Sequence, residues 1–235
     1  AGYYEVADEK NQKFYTEKYG VTHPTKPGLK IPEMFDAAIN KELKGLWIIG
    51  EDIVQTDPNS AHVVEAMNSL ELLVVQEIFM SETAKLATVV LPGTTFLEKD
   101  GTFTNTERRI QRVNRAVPPL PGTKPDGVIV TDMMQKLGFD QPTYDAEKML
   151  KEIADVVPFF KGVTRERLGK LGLQWPVQED GTDTQILHTE SFKLGRGRLK
   201  NFDWKESTEI ETNKKEYPLI LTTSRVLQHY NAATM

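Results

Sequence analysis

Cysteine is absent from the 235 residues of this chain. Its absence excludes disulfides, thiolate-bound iron–sulfur clusters and a cysteine nucleophile within these residues. The histidines are few and scattered, with no pair at a metal-ligand spacing, so we expect no self-contained metal site. Long hydrophobic runs are also missing, because no stretch approaches the roughly 18 apolar residues that a membrane-spanning helix needs.

The charge balance is mildly acidic, with a net charge of −5 and 27% charged residues. A nucleic-acid partner would call for a basic stripe, so none is expected. The first twenty residues are polar and aromatic and do not look like a signal peptide, which favours a cytoplasmic location. A hydrophobic content of 39% in a chain of this length can fill the core of one large domain or two small ones.

Short apolar runs predict buried parallel strands at 46–49, 72–75 and 88–91. Helices are predicted between and around them, at 31–40 and at 60–69, the second capped by the segment 57–60. This alternation predicts an α/β fold, with a Rossmann-like parallel sheet and flanking helices. Further helices are predicted over 126–137, over 144–156 and after Thr164, which would cap a helix ending at Gly169 or Gly172.

Composition suggests four segments. Residues 1–30 are expected to be irregular connecting chain, because PTKPG at 24–28 interrupts regular structure. Residues 31–171 form the α/β domain, and 172–216, rich in Gly, Asp and Thr, are expected to be an extended linker. Residues 217–235 begin a second domain, with a strand over 217–223, and too few residues follow that strand to complete it. The chain is therefore expected to be a piece of a longer protein.

Open α/β sheets bind ligands at the carboxyl ends of their strands. Polar segments fall at such ends at 50–52, at Gln76 and Glu77 with Ser81, and in the turn around Lys99. A carboxylate there can accept the N–H groups of guanine or ribose hydroxyls, and a lysine can neutralise a pyrophosphate. The same residues are also common turn formers and solvated side chains.

Other polar residues leave two interpretations open. Asp126 can bind a purine edge or cap its helix, and Asn105, Glu107, Arg108 and Arg109 can hold a hairpin together or contact a ligand. After the last predicted strand, Arg225, His229 and Tyr230 stand where a loop could bind phosphate or pterin.

The segment 82–111 carries the strongest resemblance to a known family. It reads ETAKLATVVLPGTTFLEKDGTFTNTERRIQ. This resembles the molybdopterin-guanine-dinucleotide oxidoreductases, in which a strand ending in Leu-Pro is followed by Glu-Lys-x-Gly-x-x-x-Asn-x-Glu-Arg. The segments 73–79, 162–176 and 217–235 resemble formate dehydrogenase catalytic subunits, and 217–235 is similar to the entry of their dinucleotide-binding β-barrel domain. Gly50 to Asp52 resemble the family's Gly-Glu-Asn/Asp-Pro turn, with Ile53 in place of the proline.

The resemblance implies molybdopterin guanine dinucleotide with molybdenum or tungsten as the cofactor, and formate oxidation to carbon dioxide as the activity. The implied cofactor-binding residues are Gln76, Glu77, Ser81, Lys99, Asp126, Arg225, His229, Tyr230 and Asn231. The family's metal ligand, its active-site arginine and its cysteine-bound iron–sulfur cluster have no counterpart in this sequence. The resemblance therefore implies no catalytic or metal-binding residue here, and an isolated chain that does not turn over formate. Implied partners are the rest of the α-subunit and electron-transfer subunits.

Two alternative functions remain. One is the catalytic subunit of a nitrate reductase, but the sequence Gln-Glu-Ile-Phe at 76–79 argues against it. The other is the large iron–sulfur subunit of a respiratory NADH dehydrogenase, which carries a similar Leu-Pro and Asn pattern without molybdenum. The barrel segment at 217–235 argues against that assignment, because such a domain binds the dinucleotide.

Overall fold

The computed structural model describes residues 4–192, 195–205, 215–222, 224 and 226. The chain divides into two compact units, Ala1–Gln185 and Ile186–Met235. All the helices and strands described belong to the first unit. In the described part of the chain, no helix has both the length and the apolar character that crossing a membrane requires.

The first unit alternates helices and strands and adds a small second sheet. Its elements, in chain order, are α1 (Glu9–Tyr19), α2 (Ile31–Ile39), β1 (Gly45–Ile49), α3 (Ile53–Thr56), α4 (Ser60–Ser69), β2 (Leu72–Glu77), α5 (Glu82–Lys85), β3 (Val89–Pro92), β4 (Gly101–Thr104), β5 (Arg109–Val113), α6 (Asp126–Lys136), α7 (Ala146–Val156), α8 (Arg165–Leu168) and β6 (Leu173–Gln174).

Strands β1, β2 and β3 form a parallel sheet in that order. Right-handed crossovers that always advance in the same direction bring their helices onto the same face of the sheet. Helices α3, α4 and α5 accordingly share one core with Ile48, Leu73 and Val75, which are at most 8% exposed, and α2, which precedes β1, packs in the same core. On the alternate strand positions, Ile49 and Leu72 are about half exposed. The sheet is thus covered mainly from one side.

Strands β4, β5 and β6 form an antiparallel sheet in that order. It packs on a second core that includes Ile110, Leu168 and Val177, all at most 1% exposed. The turn between β4 and β5 places Arg108 at φ 66°, and its guanidinium donates to the carbonyls of Trp175, Thr184 and Gln185. That side chain fastens the hairpin to the stretch of chain that follows β6.

The predicted α/β class with a parallel sheet is confirmed. Strand β1 begins one residue before the predicted run and β2 ends two residues after it, while α4 has the predicted bounds of 60–69. Thr164 caps α8, which ends at Leu168, just before Gly169. These elements could be predicted because short apolar runs and capping residues, which lie within each element, indicate them.

The expectation of irregular chain over residues 1–30 is wrong for Glu9–Tyr19, which forms α1. Asp8 caps this helix by accepting from the N–H groups of Lys10 and Asn11, and Gly20 closes it at φ 69°. No residue of α1 is buried. Its stability therefore rests on caps and side-chain pairs, and it offers no apolar stripe from which it could have been predicted.

The compact first unit also extends past the predicted end of the α/β domain at 171. Strand β6 pairs with β5, Val177 is buried, and the unit ends at Gln185. The strand expected over 217–223 is not formed in its described part, 217–222, where Leu219 and Leu221 are 87% and 91% exposed. A strand needs a neighbour for its backbone hydrogen bonds, and the described residues supply none for it.

We predict that Val177→Ala destabilises the first unit by about 1.5–3 kcal/mol, because it removes buried methyl groups and leaves a cavity. The matched control is Val117→Ala, since Val117 is 47% exposed and loses little packing. Urea unfolding followed by tryptophan fluorescence measures both. Equal stability of the two variants would show that the stretch after residue 172 is a linker after all.

Candidate functional site

The loops at the carboxyl edge of the parallel sheet are joined through the end of β2. The backbone N–H of Gly50, after β1, donates to the carbonyl of Gln76 at 2.9 Å. The N–H of Gly93, after β3, donates to the carbonyl of Glu77 at 3.0 Å. The polar segments that follow all three strands therefore meet at one edge, where ligands of open α/β sheets bind.

A partly buried polar network lies at this edge. Gln76 is 1% exposed, and its Nε2 donates to Oδ1 of Asp126 at 2.8 Å. Lys99 Nζ donates to Oδ2 of the same carboxylate at 2.6 Å. Gly93 lies so close to Asp126 that a Cβ there would stand 3.3 Å from Oδ1. The three side chains come from β2, from the turn before β4 and from the first residue of α6.

The Asp126 carboxylate is held in its charged form. Burial alone would raise its pKa, but the hydrogen bonds from Lys99 and Gln76 and the charge of Lys99 bring the pKa of Asp126 below its ordinary value of 3.8. Its side chain remains 41% exposed, whereas that of Lys99 is 20% exposed. Asp126 therefore presents a fixed, ionised acceptor that a ligand can still reach.

Gln76 has an acceptor without a partner. Its Oε1 is buried and makes no hydrogen bond in the structure, although its Nε2 is bonded to Asp126. Buried polar atoms are nearly always hydrogen-bonded, and leaving one unpaired costs free energy. The network is thus one donor short, next to the carboxylate that a ligand can reach.

A pocket of about 190 Å³ opens beside this network. Its walls combine the Lys99–Asp126 ion pair, two aromatic rings and backbone of β4. The lining residues are Lys99, Asp100, Gly101, Thr102, Phe103, Val113, Pro125, Asp126, Gly127 and Tyr144. The pocket thus offers both a charged edge and flat apolar surfaces.

A second carboxylate ties the loop after β1 to the helix after β2. Asp52 Oδ1 accepts from the backbone N–H of Thr83 at 3.0 Å and from its hydroxyl at 2.6 Å. Oδ2 accepts from Gln55 at 2.6 Å and from the N–H of Glu82 at 3.3 Å. Burial would raise the pKa of Asp52, but these hydrogen bonds hold it below its ordinary value of 3.8. Asp52 therefore fixes two strand-end loops against each other.

Glu98 organises the turn that carries Lys99. Its carboxylate accepts from the backbone N–H and the hydroxyl of Thr95, both at 2.9 Å, and from the N–H of Leu120 at 2.9 Å. The bonds from Thr95 and Leu120 lower the pKa of Glu98. The two residues of the Glu-Lys motif therefore have different roles. Glu98 holds the turn in place, and Lys99 binds Asp126.

The structure brings together three of the residues predicted from the sequence, namely Gln76, Lys99 and Asp126. Glu77 lies beside them at the end of β2, with Oε1 accepting from the N–H of Ile78 at 2.7 Å. The Ser81 hydroxyl caps α5 by accepting from the N–H of Ala84. The remaining predicted site residues, Arg225, His229, Tyr230 and Asn231, lie outside the described residues.

The Asn-x-Glu-Arg-Arg part of the motif makes structural contacts. Asn105 Oδ1 accepts from the N–H groups of Glu107 and Arg109, which closes the turn between β4 and β5. Arg108 stacks 5.5 Å from the Trp175 ring and bonds backbone carbonyls. These contacts favour the hairpin-holding interpretation over a ligand contact.

Tyr144, Phe103 and Gly127 are not among the site residues expected from the sequence. Phe103 lies within the motif segment 82–111, and Tyr144 is the first residue of the helix predicted over 144–156. One signal was present: glycine is a poor helix former, and Gly127 stands in the first turn of α6. A glycine retained at such a cost is a position at which a packing reason can be sought.

Among the described residues, no cluster of three or more His, Asp or Glu side chains is placed to hold a metal ion. The donor set at the sheet edge, with one carboxylate, one amide and one ammonium, is instead suited to N–H and phosphate groups. The site therefore fits the organic part of a cofactor.

Comparison with known proteins identifies the class. The model of the molybdopterin oxidoreductase family matches residues 9–136, more than half of the chain, so the chain belongs to this family. The fold agrees: acetylene hydratase from Pelobacter acetylenicus superposes with a TM-score of 0.54 at 20% identity, over 89% of this chain and 32% of that one.

Two curated relatives within this family are formate dehydrogenase alpha subunits. The F420-dependent formate dehydrogenase subunit alpha of Methanocaldococcus jannaschii is 42% identical over all of this chain and 35% of its own length. The F420-dependent formate dehydrogenase 1 subunit alpha of Methanococcus maripaludis is 41% identical over 96% of this chain and 34% of its own length. The chain thus spans about a third of these relatives. Its similarity to formate dehydrogenase alpha subunits confirms the resemblance drawn from the sequence.

We predict that the hydrogen bonds of Asp52 make the free energy of unfolding depend on pH. A carboxylate whose folded-state pKa is depressed contributes its full stability above the unfolded value of 3.8, and loses it as the pH falls through the folded value. Asp52→Asn should therefore be less stable than the unaltered chain at neutral pH, and the difference should shrink below pH 3.8. Urea unfolding across this pH range measures it. The control is Asp57→Asn, because Asp57 accepts from the N–H of Asn59 within its own turn. A stability difference between Asp52→Asn and the unaltered chain that does not change with pH would contradict the prediction.

Proposed function

We propose that this chain is a cofactor-binding part of a molybdenum or tungsten formate dehydrogenase. In the whole enzyme, formate would be oxidised to carbon dioxide, and this chain would hold molybdopterin guanine dinucleotide. The family membership and the two alpha-subunit relatives support the reaction. The observation that carries the binding role is the Gln76–Asp126–Lys99 network at the carboxyl edge of the sheet.

The network has the chemistry that a guanine nucleotide needs. An ionised carboxylate such as that of Asp126 can accept the N1 and N2 hydrogens of guanine together. Lys99 lies beside it and carries the charge that a pyrophosphate would require. The unpaired Oε1 of Gln76 gives the network one more acceptor on the same side chain that positions Asp126.

The other site residues that the resemblance implies are assigned to the same ligand. Glu77 and Ser81 would contact the guanosine part, while Arg225 would bind the dinucleotide, and His229, Tyr230 and Asn231 would reach the pterin. When bound, the cofactor's metal supplies the redox chemistry, and the protein positions it. This chain's contribution is positional: it fixes the nucleotide end, so that the remainder of the alpha subunit can present the metal to formate.

Partners and location complete the proposal. The remaining two thirds of an alpha subunit would supply the metal ligand and an iron–sulfur cluster, and electron-transfer subunits would accept the electrons. A cytoplasmic enzyme complex is the setting that this arrangement favours.

The first test is nucleotide binding by the full chain, measured by isothermal titration calorimetry. Guanosine diphosphate should bind more tightly than adenosine diphosphate, because adenine lacks the N1–H and N2–H donors that a carboxylate accepts. Asp126→Asn should weaken guanosine diphosphate binding by about tenfold to a hundredfold, the equivalent of losing a charge-assisted hydrogen bond of roughly 1.5–3 kcal/mol.

The chain contains a closely matched control for this substitution. Asp132 lies on the same helix as Asp126 and pairs with Lys124 at 2.6 Å, with a side chain 38% exposed, but it does not line the pocket. Asp132→Asn should leave nucleotide binding unchanged. Equal binding of both nucleotides, or equal loss in both variants, would reject a guanine site at Asp126.

The second test uses the whole enzyme. Glu77→Ala should lower the molybdenum or tungsten content per protein more than it lowers the temperature of unfolding, because a lost cofactor contact acts on occupancy first. Elemental analysis and calorimetry measure the two quantities. A variant with full metal content and unaltered formate oxidation would leave Glu77 only the role of a turn residue that bonds the N–H of Ile78.

A further inference from the structure

The pocket beside Asp126 is small for a whole dinucleotide. Its volume of about 190 Å³ is below the roughly 300–1,000 Å³ that is usual for sites holding drug-sized ligands. A pocket of that size suits a single ring system, with the rest of the ligand outside. Its lining fits a flat ligand, since Phe103 and Tyr144 contribute aromatic rings and Asp126 a charged edge.

Tyr144 reaches this pocket because Gly127 makes room for it. The ring lies directly over the Cα of Gly127, where a Cβ atom would overlap the ring atoms Cδ2, Cε2 and Cζ. Since Gly127 directly follows Asp126, the ring is held beside the carboxylate. Burial, together with the nearby charges of Asp126 and Asp145, raises the pKa of Tyr144, which agrees with a neutral phenol close to those acids.

We propose that Tyr144 forms a stacking wall for the nucleobase of the bound dinucleotide, and that Gly127 is required because only glycine admits the ring at this place. The inference rests on the proposed function and adds to it a residue that contacts the base. The base would lie against the Tyr144 face with its donor edge toward Asp126. Stacking supplies affinity for any base, while the carboxylate supplies the preference for guanine.

Binding of guanosine diphosphate to the full chain tests the wall. Tyr144→Ala should weaken binding about fivefold to a hundredfold, the range found when a stacking aromatic is removed. Tyr144→Phe keeps the ring and should bind within about threefold of the unaltered chain. Inorganic pyrophosphate, which has no base to stack, should bind all three chains equally. Phe159→Ala, which removes an aromatic ring outside the pocket lining, is the control.

The role of Gly127 is tested by combining substitutions. Gly127→Ala should weaken guanosine diphosphate binding by displacing the ring, as Tyr144→Ala does by removing it. In a chain that already carries Tyr144→Ala, the Gly127→Ala change should have little further effect, because no ring is left to displace. Thermal unfolding of each variant shows whether the fold is kept. The effect of Gly127→Ala on binding is then compared with and without Tyr144→Ala, using variants that unfold at the same temperature.

The outcomes separate this inference from the proposed function. Unchanged nucleotide binding by Tyr144→Ala, or additive effects of the two substitutions, would overturn the wall while leaving the guanine site intact. A loss of pyrophosphate binding equal to that of the nucleotide would also overturn it, because the substitution would then act on the whole site. No binding of guanosine diphosphate by the unaltered chain would reject the proposed function itself.

Discussion

The carboxylate of Asp126 is the point on which the edge of the parallel sheet depends. It accepts from Gln76, fifty positions earlier in the chain, and from Lys99, twenty-seven positions earlier. Each of these groups would be costly to leave unpaired in a partly buried place. The carboxylate accepts from the Gln76 amide and the Lys99 ammonium, and Oε1 of Gln76 lacks a partner among the described residues. The network therefore fixes the end of β2, the turn before β4 and the start of α6 in one arrangement.

A second carboxylate, that of Asp52, also joins loops at this edge. Asp52 gathers donors from its own turn and from the first turn of α5, so the loops after β1 and β2 are held together. The Thr83 hydroxyl passes the link on by accepting from the N–H of Val54 at 3.1 Å. Two ionised carboxylates thus hold these loops against one another. A binding site needs such fixed loops, because its affinity depends on side chains held in place beforehand.

Much of this arrangement could be predicted from the sequence, and the exceptions share a physical reason. The parallel strands and α4 are specified by local apolar runs and caps, and the motif around Lys99 by its spacing. Strand β6 is only two residues long and exists because β5, sixty residues earlier, offers it a partner. Tyr144 lines the pocket and packs on Gly127, seventeen positions earlier, where a Cβ would overlap its ring. Local patterns predict elements, whereas such long-range contacts are decided by the packing of the whole unit.

The pocket is lined by residues that are connected to both sheets. Asp126 is bonded to the parallel sheet through Gln76, whereas Phe103 belongs to β4 of the antiparallel sheet. Tyr144 lies just before α7, whose Leu150 packs in the second core with Ile110 of β5. A ligand between these residues would contact side chains connected to both sheets. Its binding energy would then stabilise the folded unit, since a ligand that binds only the folded state shifts the equilibrium toward that state.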